Sequence, residues 1–263
     1  MPQAITLLTD FGLQDTYVGV VKGVIKTISP DADIIDLTHQ VPPQDIFAGA
    51  FLLKTVYRYF PPGTIHLVIV DPGVGSARLP IAAHIGDFYF VCPDNGLLSY
   101  VLSDNIADSA VILDDSDYHL SELSRTFHGR DVFAPVAAHL SLGVSLDDLG
   151  TQIESLTTFT LPEPYMSDGT VICHVIYADA YGNLFLDLTE NMAFTIELSG
   201  FVVEIFDRII SGPMNSYSHV SEGMPLALFG SSGHLEISIR GGHAQQQFGL
   251  RIGDAVLLHR TKK

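Results

Sequence analysis

Positive charge is scarce in this sequence. Its 263 residues include 13 lysines and arginines against 30 aspartates and glutamates, which gives a formal net charge of −17 at pH 7. A surface this acidic repels phosphate backbones, so we expect no nucleic-acid partner. It favours a cationic small molecule instead, although net charge by itself says little about any single site.

Cysteines and long apolar runs are also scarce. Cys92 and Cys173 each lie within an apolar run, which predicts buried free thiols in a reducing compartment and leaves too few cysteines for the usual metal cluster. No apolar run approaches transmembrane length. The N-terminus lacks a basic region and reaches Asp10 too early for a signal peptide. We therefore expect a cytoplasmic protein that does not bind membranes.

Three common catalytic or nucleotide-binding motifs are absent. The sequence contains no G-x-G-x-x-G, no P-loop and no G-x-S-x-G, which argues against dinucleotide, P-loop nucleotide and serine-hydrolase sites. The segment Gly73–Ser76 superficially resembles a phosphate loop, but it lacks the lysine of such loops.

The first part of the chain alternates between strand and helix patterns. Hydrophobic residues make up 47% of the sequence, enough for a large buried core, and the length favours two modest domains. Apolar strands are predicted at 4–9, 33–37 and 65–70, and helical spacing separates them. This order implies right-handed crossovers and a mostly parallel sheet. A hairpin follows at 81–92, with a further strand at 111–113 and a helix beginning near His128.

The second part of the chain has a different pattern. A segment containing threonine and proline at 151–164 reads as a linker, so we place an α/β domain at 1–155 and a smaller domain at 165–263. Short alternating runs separated by glycine and asparagine predict an all-β barrel or sandwich in the second domain. These runs are 171–177, 184–188, 201–206, 226–229, 235–239 and 255–259.

The stretch Val68–Arg78 has the strongest indication of chemistry. An apolar run ends at Asp71, an irregular turn of proline and glycines follows, and Arg78 precedes the next strand. Ligands of open α/β sheets bind beyond the carboxyl ends of the strands, which is where Asp71 is predicted to lie. Two interpretations are equally consistent with these residues. The pair either forms part of a site or consists of a turn-capping aspartate and a surface arginine.

Other polar residues also follow predicted strands in the first domain. These are Asp10, Asp36 with His39, and Asp94 with Asn95, while His128 opens a helix. Aspartate and histidine together suit a divalent metal ion. The carboxylates are spread over many strands, however, and no H-x-H or H-x-x-x-H spacing supplies two ligands from one element, so a metal centre is disfavoured.

Two segments of the second domain contain polar turn residues. Asp179–Asn183 and Gly230–Gly233 are typical of a hairpin turn and a loop. A tyrosine beside an asparagine amide, as at Tyr181 and Asn183, is also a way to stack a purine and read its edge. Residue patterns alone favour the structural interpretation.

Taken together, these segments resemble a known family. The sequence is similar to the S-adenosylmethionine hydroxide adenosyltransferases, which are relatives of the bacterial fluorinase and chlorinase, in order and over nearly the whole chain. The resemblance implies an α/β N-terminal domain, a β-rich C-terminal domain and a homotrimer with its sites at subunit interfaces. The matching segments are 9–12 with Asp15 and Tyr17, 70–75 with Arg78, 93–96, 127–131, 181–183 and 231–233.

The resemblance implies hydrolysis of S-adenosyl-L-methionine to adenosine and L-methionine, with no cofactor and no metal. The catalytic triad would be Asp71, Arg78 and His128, with the triad and the ribose site in the first domain and the adenine and methionine site in the second. The implied substrate contacts are Asp10 to the ribose hydroxyls, Asp15 and Asp179 to the methionine ammonium, Ser231 to its carboxylate, Tyr181 and Tyr217 around the adenine, Asn183 at its edge, and Glu236 and Ile239 along its wall.

Two other functions stay open beside hydrolysis. One is a non-catalytic sensor that binds S-adenosylmethionine or adenosine. The other is halide-dependent adenosyl transfer, which the resemblance disfavours because the halogenases differ at the triad positions and have a longer loop there. Arg240 and Gln44 depart from residues common in the family or its halogenases, and both bear on the shape of the pocket.

Overall fold

The structure is a computed structural model that describes residues 3–261. The chain divides into two compact units between Thr160 and Leu161. Residues 1–2 and 262–263, the outer ends of the two predicted domain ranges, lie outside the described residues. Within those residues, every helix is too short or too polar to cross a lipid bilayer.

The first unit is built on a seven-stranded sheet. Its spatial order is β2-β1-β3-β5-β4-β6-β7. The strands are β1 (Ile5–Thr9), β2 (Ile34–Thr38), β3 (Ile65–Ile69), β4 (Pro80–Ile85), β5 (Phe88–Pro93), β6 (Ser109–Ile112) and β7 (Thr151–Gln152). All residues of β1 and β3 are buried, as expected for central strands covered on both faces.

The sheet is mixed, whereas the alternating pattern predicted a mostly parallel one. The pairs β1–β2, β1–β3 and β3–β5 are parallel, but β4–β5, β4–β6 and β6–β7 are antiparallel. The difference arises at the predicted hairpin. Because β4 and β5 are joined by a tight turn at Gly86, β4 must run against β5, and the strands beyond it continue the antiparallel arrangement.

The helices of the first unit are α1 (Tyr17–Ile28), α2 (Ile46–Val56), α3 (Ser99–Leu102) and α4 (Ala134–Ser141). Helix α1 buries Val18, Val21 and Ile25, which recur at helical spacing. A core of α1, α4 and strand side chains covers the sheet. The crossovers place the carboxyl ends of β1, β2 and β3 side by side, because these strands are parallel neighbours.

The second unit is an antiparallel sheet of eight strands. Its order is β12-β11-β15-β9-β10-β14-β13, with β8 paired to β9. The strands are β8 (Tyr165–Ser167), β9 (Thr170–Ala178), β10 (Leu184–Thr189), β11 (Phe201–Ile205), β12 (Arg208–Gly212), β13 (Pro225–Phe229), β14 (His234–Ile239) and β15 (Ala255–Arg260). Just beyond β12, the Met214 N–H donates to the Ala227 carbonyl of β13 at 2.8 Å. The sheet is therefore nearly closed, as the barrel interpretation predicted.

Four elements of the second unit have no counterpart in the sequence-based expectations. Strand β8 pairs with β9 and strand β12 with β11, and two short helices, α5 (Glu190–Thr195) and α6 (Ala244–Phe248), connect strands. Strand β12 shows only one buried residue, so it lacks the apolar alternation from which a strand is predicted.

Candidate active site

Asp71 lies two residues beyond β3, at the edge where the parallel strands end. Its carboxylate accepts hydrogen bonds from Arg78 Nε at 2.9 and 3.0 Å and a further bond from Arg78 Nη2. The Asp71 and Arg78 side chains are only 7% and 8% exposed. This pair is therefore a nearly buried, bidentate ion pair, which excludes the surface-pair interpretation of the sequence.

The glycine turn between the pair explains how Arg78 folds back onto Asp71. Gly75 has φ +76°, and a Cβ there would lie 2.6 Å from the Arg125 carbonyl oxygen. The turn therefore packs directly on the segment that precedes His128, at a distance that only glycine allows. The Arg78 guanidinium also lies 5.2 Å from the centroid of the Phe133 ring, a cation–π contact.

His128 joins the pair from the opposite side. Arg78 Nη2 lies 3.1 Å from His128 Nδ1, and a guanidinium can only donate. Nδ1 is therefore the acceptor, and the neutral ring carries its proton on Nε2. Burial and the adjacent Arg78 charge lower the pKa of His128 below its ordinary value. The ring is therefore neutral at neutral pH.

His128 is followed at once by a single π-helical turn, Gly129–Phe133, which leads into α4. Such turns occur frequently at functional sites. A Cβ at Gly129 would lie 3.3 Å from Phe11 Cζ and 3.4 Å from Ile69 Cδ1. Gly129, next to His128, therefore packs against Phe11, which follows β1, and against Ile69 at the end of β3.

Asp10 follows β1 on the same edge. Thr9 and Ile69 are paired in register, so Asp10 and Asp71 leave neighbouring strands side by side. The Gln44 N–H donates to Asp10 Oδ2 at 2.8 Å. Asp10 is half-buried, so part of its carboxylate stays accessible to a ligand.

Other candidates in the first unit have different surroundings. Asp15 is exposed in the turn before α1, and within residues 3–261 no hydrogen bond or ion pair joins it to the triad. Asp94 instead accepts from the Thr157 N–H and hydroxyl at 2.7 and 2.9 Å, and Asn95 donates to the Val70 carbonyl at 2.9 Å. Asp94 therefore holds the segment at Thr157, and Asn95 holds the end of the strand segment that leads to Asp71.

Sequence reasoning missed the role of Asp131, which is completely buried. Its carboxylate accepts from the Ser124 N–H at 2.6 Å and from Arg130 Nε at 2.5 Å. Arg130 in turn lies over the Phe127 ring, 5.4 Å from its centroid. Asp131 thus holds both ends of the segment that carries His128. The available signal is the charged dipeptide at 130–131, which is separated from the histidine only by Gly129.

In the second unit, Asp179 organises the predicted hairpin turn. Its Oδ1 accepts from the N–H groups of Tyr181 and Asn183, each at 2.9 Å, and its Oδ2 accepts from Asn183 Nδ2 at 2.9 Å. A Cβ at Gly182 would overlap the His243 ring, so the turn packs closely on the start of α6. Tyr181 projects from this turn and is 79% exposed.

Tyr217 and Glu236 form a second polar pair in this unit. The Tyr217 hydroxyl donates to Glu236 Oε2 at 2.8 Å. Glu236 is only 4% exposed, and its burial raises the pKa of its carboxyl, as does the charge of Asp179. Burial also raises the pKa of Tyr217, and the bond to Glu236 adds to that effect. Asp179, Tyr217 and Glu236 are therefore electrostatically coupled.

Ser231 and Ile239 complete the candidates of the second unit. Ser231 follows Gly230, where a Cβ would collide with the Glu236 carboxylate, so the 230–233 turn lies directly beside Glu236. The Ile239 side chain packs into the core of the unit. Any contact of Ile239 with a ligand would therefore use its backbone.

No three histidine, cysteine, aspartate or glutamate side chains within residues 3–261 are grouped so that they could hold a metal ion. Among the strand-end residues first considered as ligands, Asp36 pairs with Lys22 at 2.6 Å and Asp94 with Thr157. Asp36 and Asp94 are thus engaged with the protein itself.

Comparison with known proteins relates this geometry to a family. The family models for the SAM hydroxide adenosyltransferase N-terminal and C-terminal domains match residues 5–150 and 173–257. The chain belongs to the SAM hydroxide adenosyltransferase family. The predicted resemblance is therefore confirmed, and the triad motif lies within the N-terminal match.

Individual relatives cover nearly the whole chain. An (R)-S-adenosyl-L-methionine hydrolase from Salinispora tropica is 37% identical over 95% of both chains. A hydrolase of the same name from Thermus thermophilus is 36% identical over 95% of this chain and 97% of its own. A crystal structure of an uncharacterized conserved protein from Thermotoga maritima has a TM-score of 0.91, with 34% identity over 97% of this chain and 100% of its own. Fluorinases are more distant, for example 26% identity over 70% of this chain for that of Actinoplanes sp..

Proposed function

We propose that the protein hydrolyses S-adenosyl-L-methionine to adenosine and L-methionine. The observation that carries this proposal is the buried cluster of Asp71, Arg78 and His128, beside Asp10, in a chain whose curated relatives are named (R)-S-adenosyl-L-methionine hydrolase. The reaction needs neither a cofactor nor a metal in this proposal, because a sulfonium is already an excellent leaving group.

The chemical step is an in-line displacement at C5′ of the adenosyl group. A bond forms between the attacking oxygen and C5′ while the C5′–S bond breaks, and its electron pair returns to sulfur to give neutral methionine. The water proton is released to solvent. Correct placement of a desolvated nucleophile can contribute roughly 7–11 kcal/mol in the most favourable intramolecular models.

Arg78 is the group we propose to hold the nucleophile. Its Nε and Nη2 are occupied by Asp71 and His128, whereas Nη1 has no protein partner in the described part of the chain. The Nη1 hydrogens are therefore free to donate to a water or hydroxide oxygen. The positive charge would stabilise the developing hydroxide, and Asp71 would hold the guanidinium in place.

His128 has two possible roles, as a proton acceptor or as a group that helps to bind hydroxide. The geometry supports the second role, because its basic nitrogen Nδ1 already accepts from Arg78. We therefore propose that His128 orients Arg78 and presents its Nε2–H to the nucleophile. Its lowered pKa keeps it in this neutral form.

The proposed substrate contacts follow from the resemblance, and several features of the structure support them. Asp10 has an accessible carboxylate for the ribose diol, and the exposed rings of Tyr181 and Tyr217 are available for adenine. Asn183 uses its amide N–H₂ on Asp179, which leaves its carbonyl to accept from an adenine amino group. The remaining proposed contacts are Asp15 and Asp179 to the ammonium, Ser231 to the carboxylate, and Glu236 and Ile239 at the adenine wall.

We further propose a homotrimer in which each site combines the first unit of one subunit with the second unit of its neighbour. The two halves of the candidate site lie in separate units, which supports this arrangement. Mixing Arg78→Ala with Asp179→Ala subunits tests it, since a mixed trimer regains an intact site only if sites span subunits. Recovery of adenosine formation supports the proposal. No recovery from a mixture that has exchanged subunits contradicts it.

We also propose that the protein works in the cytoplasm. Cys92 and Cys173 are both free and buried, which suits a reducing compartment.

The hydrolysis proposal is tested by incubating the protein with S-adenosyl-L-methionine and quantifying the products chromatographically. We expect adenosine and methionine in equal amounts, unchanged by a chelator and by added chloride or fluoride. Halogenated adenosine would indicate halide transfer, and bound but unconverted substrate would indicate a sensor. An Arg58→Ala variant, which removes an arginine ion-paired to Asp104 on the surface, is the matched control for Arg78→Ala.

A further inference from the structure

His39 is a buried histidine to which the proposed reaction assigns no role. It lies directly after β2 and is 4% exposed. Its Nδ1 is 2.9 Å from Thr9 Oγ1, and its Nε2 is 3.0 Å from Asp36 Oδ1. Lys22 donates to the other oxygen of Asp36 at 2.6 Å. The ring therefore joins the last residue of β1 to an ion pair at the end of β2.

These contacts belong to a set that joins the segment 9–12 to the segment 39–44. The Gly12 N–H donates to the His39 carbonyl at 2.7 Å, and the Val41 N–H donates to the Thr9 carbonyl at 3.4 Å. Asp10, the proposed ribose ligand, lies within the first segment. Every bond that orders the second segment against the first therefore also orders the backbone around Asp10.

The second segment holds the Asp10 carboxylate itself through Gln44. The Gln44 N–H donates to Asp10 Oδ2, and Gln44 has φ +66°, in the left-handed region that is unfavourable for a residue with a side chain. Such a conformation persists only where its surroundings impose it. The bonds of His39 to Thr9 and Gly12, five residues before Gln44, help to fix the start of that segment.

We propose that His39 is a positioning residue for Asp10. Through Thr9 and the 39–44 segment, it sets the orientation of the carboxylate that selects the ribose hydroxyls. This inference rests on the proposed function, specifically on Asp10 as the ribose ligand. His39 itself touches no reacting atom, so its removal acts on sugar recognition through Asp10.

The test compares the binding of adenosine and 2′-deoxyadenosine by calorimetry, which requires no turnover. A carboxylate that accepts from both ribose hydroxyls loses one charge-assisted hydrogen bond with the deoxy ligand. We expect wild type to prefer adenosine by about 10- to 100-fold. Asp10→Ala should reduce this ratio to near one, because the selecting group is gone.

The variants use two buried histidines, His39 and His66, each of which contacts a threonine of β1. Thr9→Val and His39→Ala each remove the contact between the Thr9 hydroxyl and His39 Nδ1. Thr9→Val also keeps the side-chain volume. Thr6→Val and His66→Ala are the controls, because His66 Nδ1 lies 2.7 Å from Thr6 Oγ1 on the same strand but away from Asp10. Far-UV circular dichroism verifies that each variant is folded.

We expect Thr9→Val and His39→Ala to reduce the adenosine preference toward one by weakening adenosine binding, with 2′-deoxyadenosine binding changed by less than about threefold. The control variants should lose stability but keep the wild-type ratio. The inference is overturned if the His39 and Thr9 variants keep that ratio, or if the controls lose it equally. A wild-type ratio near one would refute the Asp10 assignment, and with it this inference, without touching hydrolysis itself.

Discussion

Variants of the nearly buried Asp71–Arg78 pair can separate its contribution to stability from its role in catalysis. Arg78→Ala removes the three N–H bonds that the Asp71 carboxylate accepts, and that side chain is only 7% exposed in the intact pair. Breaking a buried pair from one side costs about 3–5 kcal/mol, because an uncompensated charge is left behind. We expect Arg78→Ala to lose stability of this size.

Replacing both partners has a different expected result. Asp71→Val combined with Arg78→Met leaves neither a buried charge nor an unsatisfied polar group, at the loss of the guanidinium contact with the Phe133 ring. Such replacements of buried pairs are often neutral in stability, so we expect the double variant to recover most of the loss. Its kcat should nevertheless stay reduced by at least about 100-fold, as when a donor to a developing oxyanion is removed.

Urea unfolding followed by far-UV circular dichroism measures the stabilities, since the chain contains no tryptophan to serve as a fluorescence probe. Adenosine release measures the activities. A double variant that is stable and fully active would show that the pair is only structural. An Arg78→Ala variant as stable as wild type would refute the buried-charge argument.

Further expected outcomes concern His66, Asp131 and His128. Burial lowers the pKa of His66 from 6.5 to about 4, so the histidine of the unfolded chain binds its proton first as the pH falls. Between pH 6.5 and 4, wild type should therefore lose up to about 3 kcal/mol of stability relative to His66→Gln, measured by urea titration. Asp131→Asn should reduce kcat at least about tenfold through displacement of His128, whereas Asp108→Asn, which loosens a hairpin elsewhere, should not. Because the pKa of His128 is lowered by burial and by Arg78, kcat should stay constant as the pH falls through 6.5 and decline only under more acidic conditions; a decline centred at or above pH 6.5 would contradict this.

Much of the fold could be predicted because apolar periodicity determines which segments are buried. The positions of β1, β2 and β3 follow from continuous apolar runs, and polar residues at their ends identify the edge where Asp10 and Asp71 lie. The expectation of a mostly parallel sheet is confirmed only in part, because the sheet is mixed. The direction of β6 depends on its tertiary pairing with β4, and that of β7 on its pairing with β6, which local patterns do not encode.

The supporting residues of the site were harder to predict, because their roles depend on contacts between distant segments. The hydrogen bond from the Ser124 N–H to Asp131 depends on the path of an irregular loop. The hydrogen bond between Thr9 and His39 joins residues 30 positions apart. The sequence around a buried histidine or aspartate does not show whether its side chain packs in the core, binds a ligand or positions another residue. The roles carried over from the resemblance, by contrast, needed only local motifs.

In the proposed reaction, water attacks C5′ of S-adenosylmethionine beside Arg78. Incubation of the protein with S-adenosyl-L-methionine in ¹⁸O-labelled water, followed by mass spectrometry of the products, shows which bond is cleaved and where the oxygen comes from. We expect label in the 5′-hydroxyl of adenosine and none in methionine. Unlabelled adenosine, or a product cleaved at another bond of the sulfonium, would contradict this reaction.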